Sequence, residues 1–211
     1  MGKKQINIKA MNNIMNKPFS GACEQNQQVI FQMLEPYLQN VTSALEVGSG
    51  TGQHAIYFAS KSEQLSWQTS DLQQYHQGIL NWIADSGLQN VLPPMQLDVC
   101  ESWPDKLYDL IFSANTLHIM SDSQVECFFA SCGTCLKFGS RLMIYGPFNY
   151  NQQYSSDSNR QFDIWLKQRD PASSIKDFGW LNSLAQKAGF SFERDIEMPA
   201  NNRMLIWLYN N

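Results

Sequence analysis

Ala44-Leu45-Glu46-Val47-Gly48-Ser49-Gly50-Thr51-Gly52-Gln53-His54 is an apolar run that stops at an acidic residue and then breaks into three alternating glycines. The pattern predicts a buried strand, a tight loop and the first turn of a helix. Glycine has no Cβ, so it permits positive φ and lets a ligand lie on the backbone, while the helix start beyond presents unpaired N–H groups. The stretch reads as a ligand cradle, and the plainer alternative is a tight strand-to-helix turn with no ligand.

Spacing narrows the ligand. A dinucleotide fingerprint, G-x-G-x-x-G, wants its third glycine at position 53, which is Gln53, whereas the pattern here is E-x-G-x-G-x-G. Glu46 precedes the first glycine by two residues and would stand close to a bound molecule. Its carboxylate repels a pyrophosphate and attracts a ligand carrying an ammonium and a sulfonium. That favours S-adenosylmethionine over NAD.

Composition agrees with a small partner. A chain of 211 residues with 43% hydrophobic content is large enough for one α/β domain with a single large core. With Lys+Arg at 15 against Asp+Glu at 19, it lacks the basic field of a duplex-DNA binder. No apolar stretch reaches the roughly 20 residues needed to span a bilayer, so no membrane partner is expected. Met1-Gly2-Lys3-Lys4 leads into polar Gln5-Ile6-Asn7 rather than a signal-peptide core, so a cytoplasmic location is expected. The odd cysteine count of Cys23, Cys100, Cys127, Cys132 and Cys135 fits reduced thiols. Cys132 and Cys135 have C-x-x-C spacing, but without a second pair they read as buried small hydrophobes, and no metal site is expected.

Residues 1–21 are polar and irregular and read as a flexible lead, with residues 22–211 as one domain. Val29, Ile30, Met33, Leu34, Tyr37 and Leu38 recur at helical spacing, a stripe suited to packing beside the sheet or folding over the cofactor, although Pro36 would kink it. Leu65-Ser66-Trp67-Gln68-Thr69 reads as a second strand ending at Ser70-Asp71. Asp71 lies 19 residues past Gly52, where a nucleoside-binding α/β fold puts the carboxylate that accepts both ribose hydroxyls; the alternative is a helix N-cap. Asn90-Val91 and Pro93-Pro94 read as the close of the next helix before a third strand, Met95-Gln96-Leu97, ending on Asp98-Val99. Asp98 is placed to accept from an adenine amino group while the Val99 N–H donates to the ring, or else is an ordinary turn aspartate. Three carboxylates at three strand ends thus converge on one crevice.

Tyr108-Asp109-Leu110-Ile111-Phe112-Ser113 is the fourth strand, followed by Asn115 and His118 and by overlapping capping boxes in Ser121-Asp122-Ser123-Gln124-Val125-Glu126. The helix that follows is expected to end at Phe138-Gly139, ahead of a fifth strand, Arg141-Leu142-Met143-Ile144-Tyr145. Residues 147–176 are polar and aromatic and read as an insertion over the crevice, a substrate lid. A last helix stopping at Gly189 and two final strands, about 190–197 and 204–209, close the chain. Strand and helix alternate throughout, which means a Rossmann-like parallel sheet covered on both faces.

Glu46-x-Gly48-x-Gly50-x-Gly52, Asp71, Asp98-Val99 and the strand from Asp109 to Ser113 resemble the successive motifs of class I SAM-dependent methyltransferases. Gly50-Thr51-Gly52-Gln53-His54-Ala55, Asn115-x-Leu117-His118-Ile119, Tyr145-Gly146-Pro147, Ser158-Asn159-x-x-Phe162-Asp163 and Met198-Pro199-Ala200-Asn201-Asn202 resemble, more narrowly, the methyltransferase-like 26 family, also described as domain of unknown function 938. The chain departs from that pattern at Phe138-Gly139-Ser140, where the family usually has Pro-Gly-Gly. The resemblance implies an α/β fold with a seven-stranded, mostly parallel sheet in the order 3-2-1-4-5-7-6, strand 7 antiparallel. It implies cofactor contacts at Glu46, Gly48, Asp71, Asp98 and Val99. Ser49, Gly50, Gly52, His54 and Asn115 border the same loop and strand end.

The expected activity is methyl transfer from S-adenosylmethionine to a small molecule. The sulfonium already activates the methyl group, so the protein need only exclude water, align a nucleophile about 3 Å away and remove a proton where one must go. Candidates for that work are Asn115, His118 and Tyr145. His118 alone has an ordinary pKa, about 6.5, suited to a base at neutral pH; the alternative is a structural histidine beneath the lid. Two other functions fit the same features: a non-catalytic SAM-binding module serving a protein partner, and an NAD-dependent oxidoreductase.

Overall fold

The computed structural model describes residues 17–211, so expectations for residues 1–16 lie outside the described part. Seven strands, β1 (Ser43–Val47), β2 (Ser66–Asp71), β3 (Val91–Gln96), β4 (Tyr108–Ala114), β5 (Leu136–Gly146), β6 (Phe190–Met198) and β7 (Asn202–Tyr209), form one sheet. Its order is β3-β2-β1-β4-β5-β7-β6. All neighbours pair in parallel except β7, which runs antiparallel to both β5 and β6. Among the described residues, six α-helices accompany it: α1 (Gly21–Leu34), α2 (Gln53–Ser60), α3 (His76–Ser86), α4 (Asp122–Cys132), α5 (Asp157–Arg169) and α6 (Phe178–Lys187). None of the helices among the described residues is long and apolar enough to cross a membrane.

Register divides the core into two layers. Glu46, Phe112, Met143 and Ile206 stand side by side on β1, β4, β5 and β7. The last three pack with Ile30, Phe31 and Leu34 of α1 and Ala55 and Phe58 of α2. Leu45, Ile111, Leu142 and Trp207, one residue along each strand, point to the opposite face and pack with Val125 and Phe128 of α4 and Leu181 of α6. A period of two makes this inevitable once a sheet is covered on both sides.

Several local expectations change. Pro36 does not kink α1, because the α-helix stops at Leu34 and the proline enters a short 3-10 turn, Glu35–Tyr37. Ser20 caps α1 through the Cys23 N–H, and the segment before it is tied down: Trp82 Nε1 donates to Pro18 O at 2.7 Å and Lys17 pairs with Asp85. Pro93 and Pro94 lie inside β3 rather than ending a helix. β3 is an edge strand, where a missing N–H is tolerated, and the irregular register against β2 is patched by Gln68 Nε2 donating to Pro93 O and Thr69 Oγ1 to Leu92 O. Phe138 and Gly139 belong to β5, which begins at Leu136; Gly139 takes φ +78° near the register shift against β4.

The cysteines need a second correction. Cys100 and Cys127 are joined as a disulfide, with Cα atoms 5.0 Å apart, linking the loop after β3 to α4. Pairing across 27 residues of sequence depends on tertiary proximity, which residue spacing alone does not reveal. Cys132 and Cys135 are free and buried, and burial pushes both thiols up, as expected of small core residues.

The segment after β5 returns upon itself. Asn149 and Asp177 form a parallel bridge at its foot. The Asp163 carboxylate, 1% exposed, accepts from Tyr154 Oη, Lys167 Nζ and the Ile175 N–H, each at 2.7 Å, and so ties α5 to the segment that follows it. Asn159 Nδ2 donates to Asn201 O at 3.0 Å, joining α5 to the β6–β7 turn.

The disulfide gives a direct check. Denatured without reductant, the protein should expose three alkylatable thiols, Cys23, Cys132 and Cys135, and five after reduction, read by intact mass. Five labels without reductant would contradict the Cys100–Cys127 bond.

Candidate functional site

The glycine loop leaves the C-terminal end of β1 and is fastened to β2. Gly48 N and Ser49 N both donate to Ser70 O, at 3.1 and 2.9 Å. Gly48, Gly50 and Gly52 all hold positive φ, +76°, +57° and +88°. A Cβ on Gly48 would stand 2.5 Å from Thr116 Cγ2, so no larger residue fits between loop and β4 end. A Cβ on Gly50 would meet nothing within 4 Å, so the loop is open there. Gly52 serves as N-cap of α2 without a side-chain cap.

Glu46 lies beneath this loop. Only 1% exposed, its Oε2 accepts from Ser49 Oγ at 2.8 Å and from Trp67 Nε1 at 3.2 Å. Burial pushes its carboxyl up to about 7; the two hydrogen bonds resist that rise and the charge of Asp71 adds to it. No lysine or arginine among the described residues pairs with it. A buried acid with two neutral donors and no cation is a site suited to a cationic ligand.

Asp71 ends β2 with both carboxylate oxygens occupied, Oδ2 by the Gly50 N–H and Oδ1 by the Leu72 N–H, each at 2.7 Å. Burial raises its pKa and these two amides hold it down. The structure therefore brings Glu46 and Asp71 together across Ser49 and Gly50. Asp98 follows one strand over, where the Leu97 N–H donates to Asp71 O at 3.1 Å. Its Oδ1 accepts from the Cys100 N–H at 3.0 Å, so the carboxylate bends back on its own loop. Val99 is buried, and its carbonyl accepts from Trp103 Nε1.

The three residues read as candidates after the fourth and fifth strands sit at one end of the sheet but around two environments. Asn115 takes a left-handed φ of +57°, and its N–H donates to Tyr145 O at 2.9 Å. His118 is 8% exposed, packs edge-on against Phe162 of α5 at 5.1 Å between ring centroids, and lies beside Gly146. Burial first, then the charge of Lys176, lowers its pKa to about 4. The base expected from an ordinary pKa of about 6.5 is thus neutral but weakly basic. Tyr145 turns to the α1 face, where burial raises its pKa and the amides of Asn26 and Asn202 lie beside its hydroxyl. His54, 5% exposed and lowered to about 4 by burial, joins this second group: its Nε2 contacts Asn26 Oδ1 at 2.7 Å and its ring stacks on Phe58.

Trp67, Thr116, Asn26 and Asn202 were not assigned site roles from sequence. Trp67 lies 21 residues from Glu46 and reaches it only because β1 and β2 pair in parallel. Asn26 precedes the apolar stripe of α1 by one turn, the one sequence signal that its side chain leaves the core face. A cavity of about 550 Å³ lies elsewhere, lined by Gln152, Gln153, Tyr154, Ser156, Asp157 and Arg160 at the foot of α5.

Solved structures share this architecture. A putative O-methyltransferase from Nostoc punctiforme superposes with a TM-score of 0.78 at 15% identity, over 88% of this chain and 56% of that one. An O-methyltransferase family protein from Burkholderia thailandensis gives 0.74 at 12% identity, over 90% and 60%. Human N-acetylserotonin methyltransferase in complex with SAM gives 0.70 at 14% identity, over 90% and 53%. The chain spans little more than half the length of these proteins, and the likeness is one of fold. In sequence, the family model described as "Protein of unknown function (DUF938)" matches residues 17–209. The chain belongs to that family, on a methyltransferase-like fold.

Proposed function

We propose that this protein binds S-adenosylmethionine and transfers its methyl group to a small-molecule acceptor, and that within its family it belongs with the methyltransferase-like 26 proteins whose motifs it resembles. The observation that carries the reading is Glu46: a buried carboxyl under a glycine loop, raised to about 7, with no cation of its own among the described residues. The cofactor offers an ammonium and a sulfonium, which a carboxylate in that position favours. The open space at Gly50 and the unfilled N-cap of α2 suit close approach of the ligand to backbone N–H groups. The solved neighbours support the same class, one of them being described as in complex with SAM and another as PigF with SAH.

Under this reading Glu46 would hold the ammonium, and Asp71, whose oxygens can each accept a further bond beyond those from the Gly50 and Leu72 N–H groups, would accept the two ribose hydroxyls. Asp98 would accept from the adenine amino group and the Val99 N–H would donate to the ring. When bound, the cofactor supplies an electrophilic methyl carbon on a positively charged sulfur. The protein's own part is alignment and exclusion of water: Asn115 and Tyr145 border the acceptor side, and α5 with residues 147–176 acts as the lid. His118, held neutral at rest, would orient an acceptor hydroxyl; if it took the hydroxyl proton it would become cationic only as methyl transfer removes the charge from the sulfonium.

Titration decides first. S-adenosylmethionine should raise the melting temperature and NAD should not; the reverse would sink the assignment. Incubation with methyl-labelled cofactor and fractionated extract should then put label in small metabolites, whereas tight binding with no label in any fraction would mark a non-catalytic binding module.

The raised Glu46 pKa fixes a pH dependence. Cofactor affinity should rise with pH up to about 7 and level off above it, since the ligand selects the ionised carboxylate. In the ligand-free protein the sign is opposite. The folded chain keeps the Glu46 proton that the unfolded chain has released, so this group's contribution to stability falls as pH climbs from 4.5 to about 7. Glu46→Gln should weaken binding and flatten both profiles, as read by calorimetry and thermal melts.

Asp71→Ala removes an ionised acceptor of two hydrogen bonds, a loss of about 2–3 kcal/mol or roughly 30- to 150-fold in cofactor affinity. Adenosine alone should lose binding in parallel, while methionine should not. Equal loss for both fragments would mean that Asp71 acts only by shaping the loop.

A further inference from the structure

Four side chains that come from different elements meet on the α1 face of the sheet, beyond the carboxylates. Asn26 of α1 accepts at Oδ1 from His54 of α2, 2.7 Å from Nε2. With its pKa at about 4 the imidazole is neutral at pH 7, so the proton shared with Asn26 sits on Nε2 and the bare Nδ1 faces Cys23 Sγ at 3.9 Å. That contact leaves the Asn26 NH2 group free to serve the neighbouring Tyr145 hydroxyl, which also has Asn202 of β7 beside it. Tyr145 and His54 are buried, whereas Asn26 and Asn202 are half-buried and form the reachable rim.

Register places this group relative to the glycine loop. Glu46 is level with Phe112 and Met143, and Tyr145 lies two residues beyond Met143, opposite Ala114. Tyr145 is therefore about level with Gly48 and two strands away, on the order of 10 Å at the usual strand spacing. Arg203, next to Asn202, pairs with Asp195 and Glu197 rather than with this group. Every member, Asn26, His54, Tyr145 and Asn202, is uncharged at neutral pH.

We propose that Asn26 and Asn202 form the acceptor-recognition rim of this protein, a neutral hydrogen-bonding clamp that selects an uncharged hydroxyl-bearing acceptor over a carboxylate or an ammonium. The proposal rests on the methyltransferase reading. A charged acceptor would lose its hydration at this rim without gaining a counter-charge, whereas a hydroxyl needs one donor and one acceptor; the Asn202 Nδ2 is held by Pro199 O and Ala200 O at 3.2 and 3.4 Å, which leaves the second N–H of Asn26 as donor and Asn202 Oδ1 as acceptor. Asn26 also acts as a positioning residue, fixing the Tyr145 hydroxyl through the His54 contact.

The test uses the full chain and three probes that differ in charge on one ring: phenol, benzoate and benzylamine. Calorimetry first measures S-adenosylmethionine on the wild type; failure there overturns the functional reading itself, before any acceptor probe is added. The protein saturated with S-adenosylhomocysteine is then titrated with each probe, following the side-chain NH2 resonances of Asn26 and Asn202. Phenol should bind preferentially and shift both resonances. Asn26→Ala and Asn202→Ala, on separate elements, should each weaken phenol about tenfold or more while cofactor affinity stays within about twofold. Asn26→Asp should turn the preference toward benzylamine, a change that loss of packing would not produce. The proposal is overturned if the wild type prefers benzoate or benzylamine or fails to bind phenol. It is equally overturned if both alanine variants bind phenol unchanged, if they lose the cofactor in parallel, or if Asn26→Asp leaves the preference where it was.

Discussion

A carboxyl buried at the end of the central strand sets the terms for everything around it. Glu46 stands on β1, which has strands on both sides and helices on both faces, so it is almost wholly shielded from water. Leaving such an acid without partners costs several kcal/mol, and the chain limits the cost with two donors on one oxygen, the Ser49 hydroxyl and the Trp67 indole. Ser49 is positioned in turn. Its hydroxyl accepts from the Ser70 N–H at 3.1 Å, and its own N–H is held by Ser70 O, so the loop cannot move without disturbing the end of β2. Asp71, the next residue, grips the Gly50 N–H. The loop, two strand ends and two carboxylates are one hydrogen-bonded unit.

That unit depends on strand order. β1 and β2 pair directly, and β4 lies on the other side of β1, so the chain's crossovers diverge at this point and leave a crevice above it. Gly48 lies against Thr116 from the loop after β4, which shows how close the two sides come. A residue with a Cβ at 48 would have to displace Thr116 and adopt a left-handed backbone at the same time.

What sequence could reveal follows from how local each feature is. Glycine spacing, the acid two residues before it and the acids at later strand ends are read within a few residues, and the strand order agrees with the resemblance drawn from them. The strand at Pro93-Pro94 was hidden because a proline's tolerance depends on whether its strand is at an edge, a property of the whole sheet. The Cys100–Cys127 bond, the Trp67 donor to Glu46 and the Asn26 contact with His54 join residues at least 21 apart in sequence. The weak basicity of His118 comes from burial under Phe162 and the nearness of Lys176, neither of which alters the residue's own character.

The two buried histidines bear on the same electrostatic logic as Glu46. His54, stacked on Phe58, and His118, edge-on to Phe162, are both driven to about 4 by burial. At neutral pH neither adds positive charge. A protonated imidazole about 5 Å from a cationic ligand, at an effective dielectric constant of 20, would oppose binding by about 3 kcal/mol. Keeping both rings neutral therefore adds no further positive charge near Asp71 and the Glu46 carboxyl, which carries its full charge only above about pH 7. The same burial that weakens His118 as a base keeps positive charge away from Glu46 and Asp71, and the proposed methyl donor, already activated by its own positive charge, would ask for that more than for a strong base.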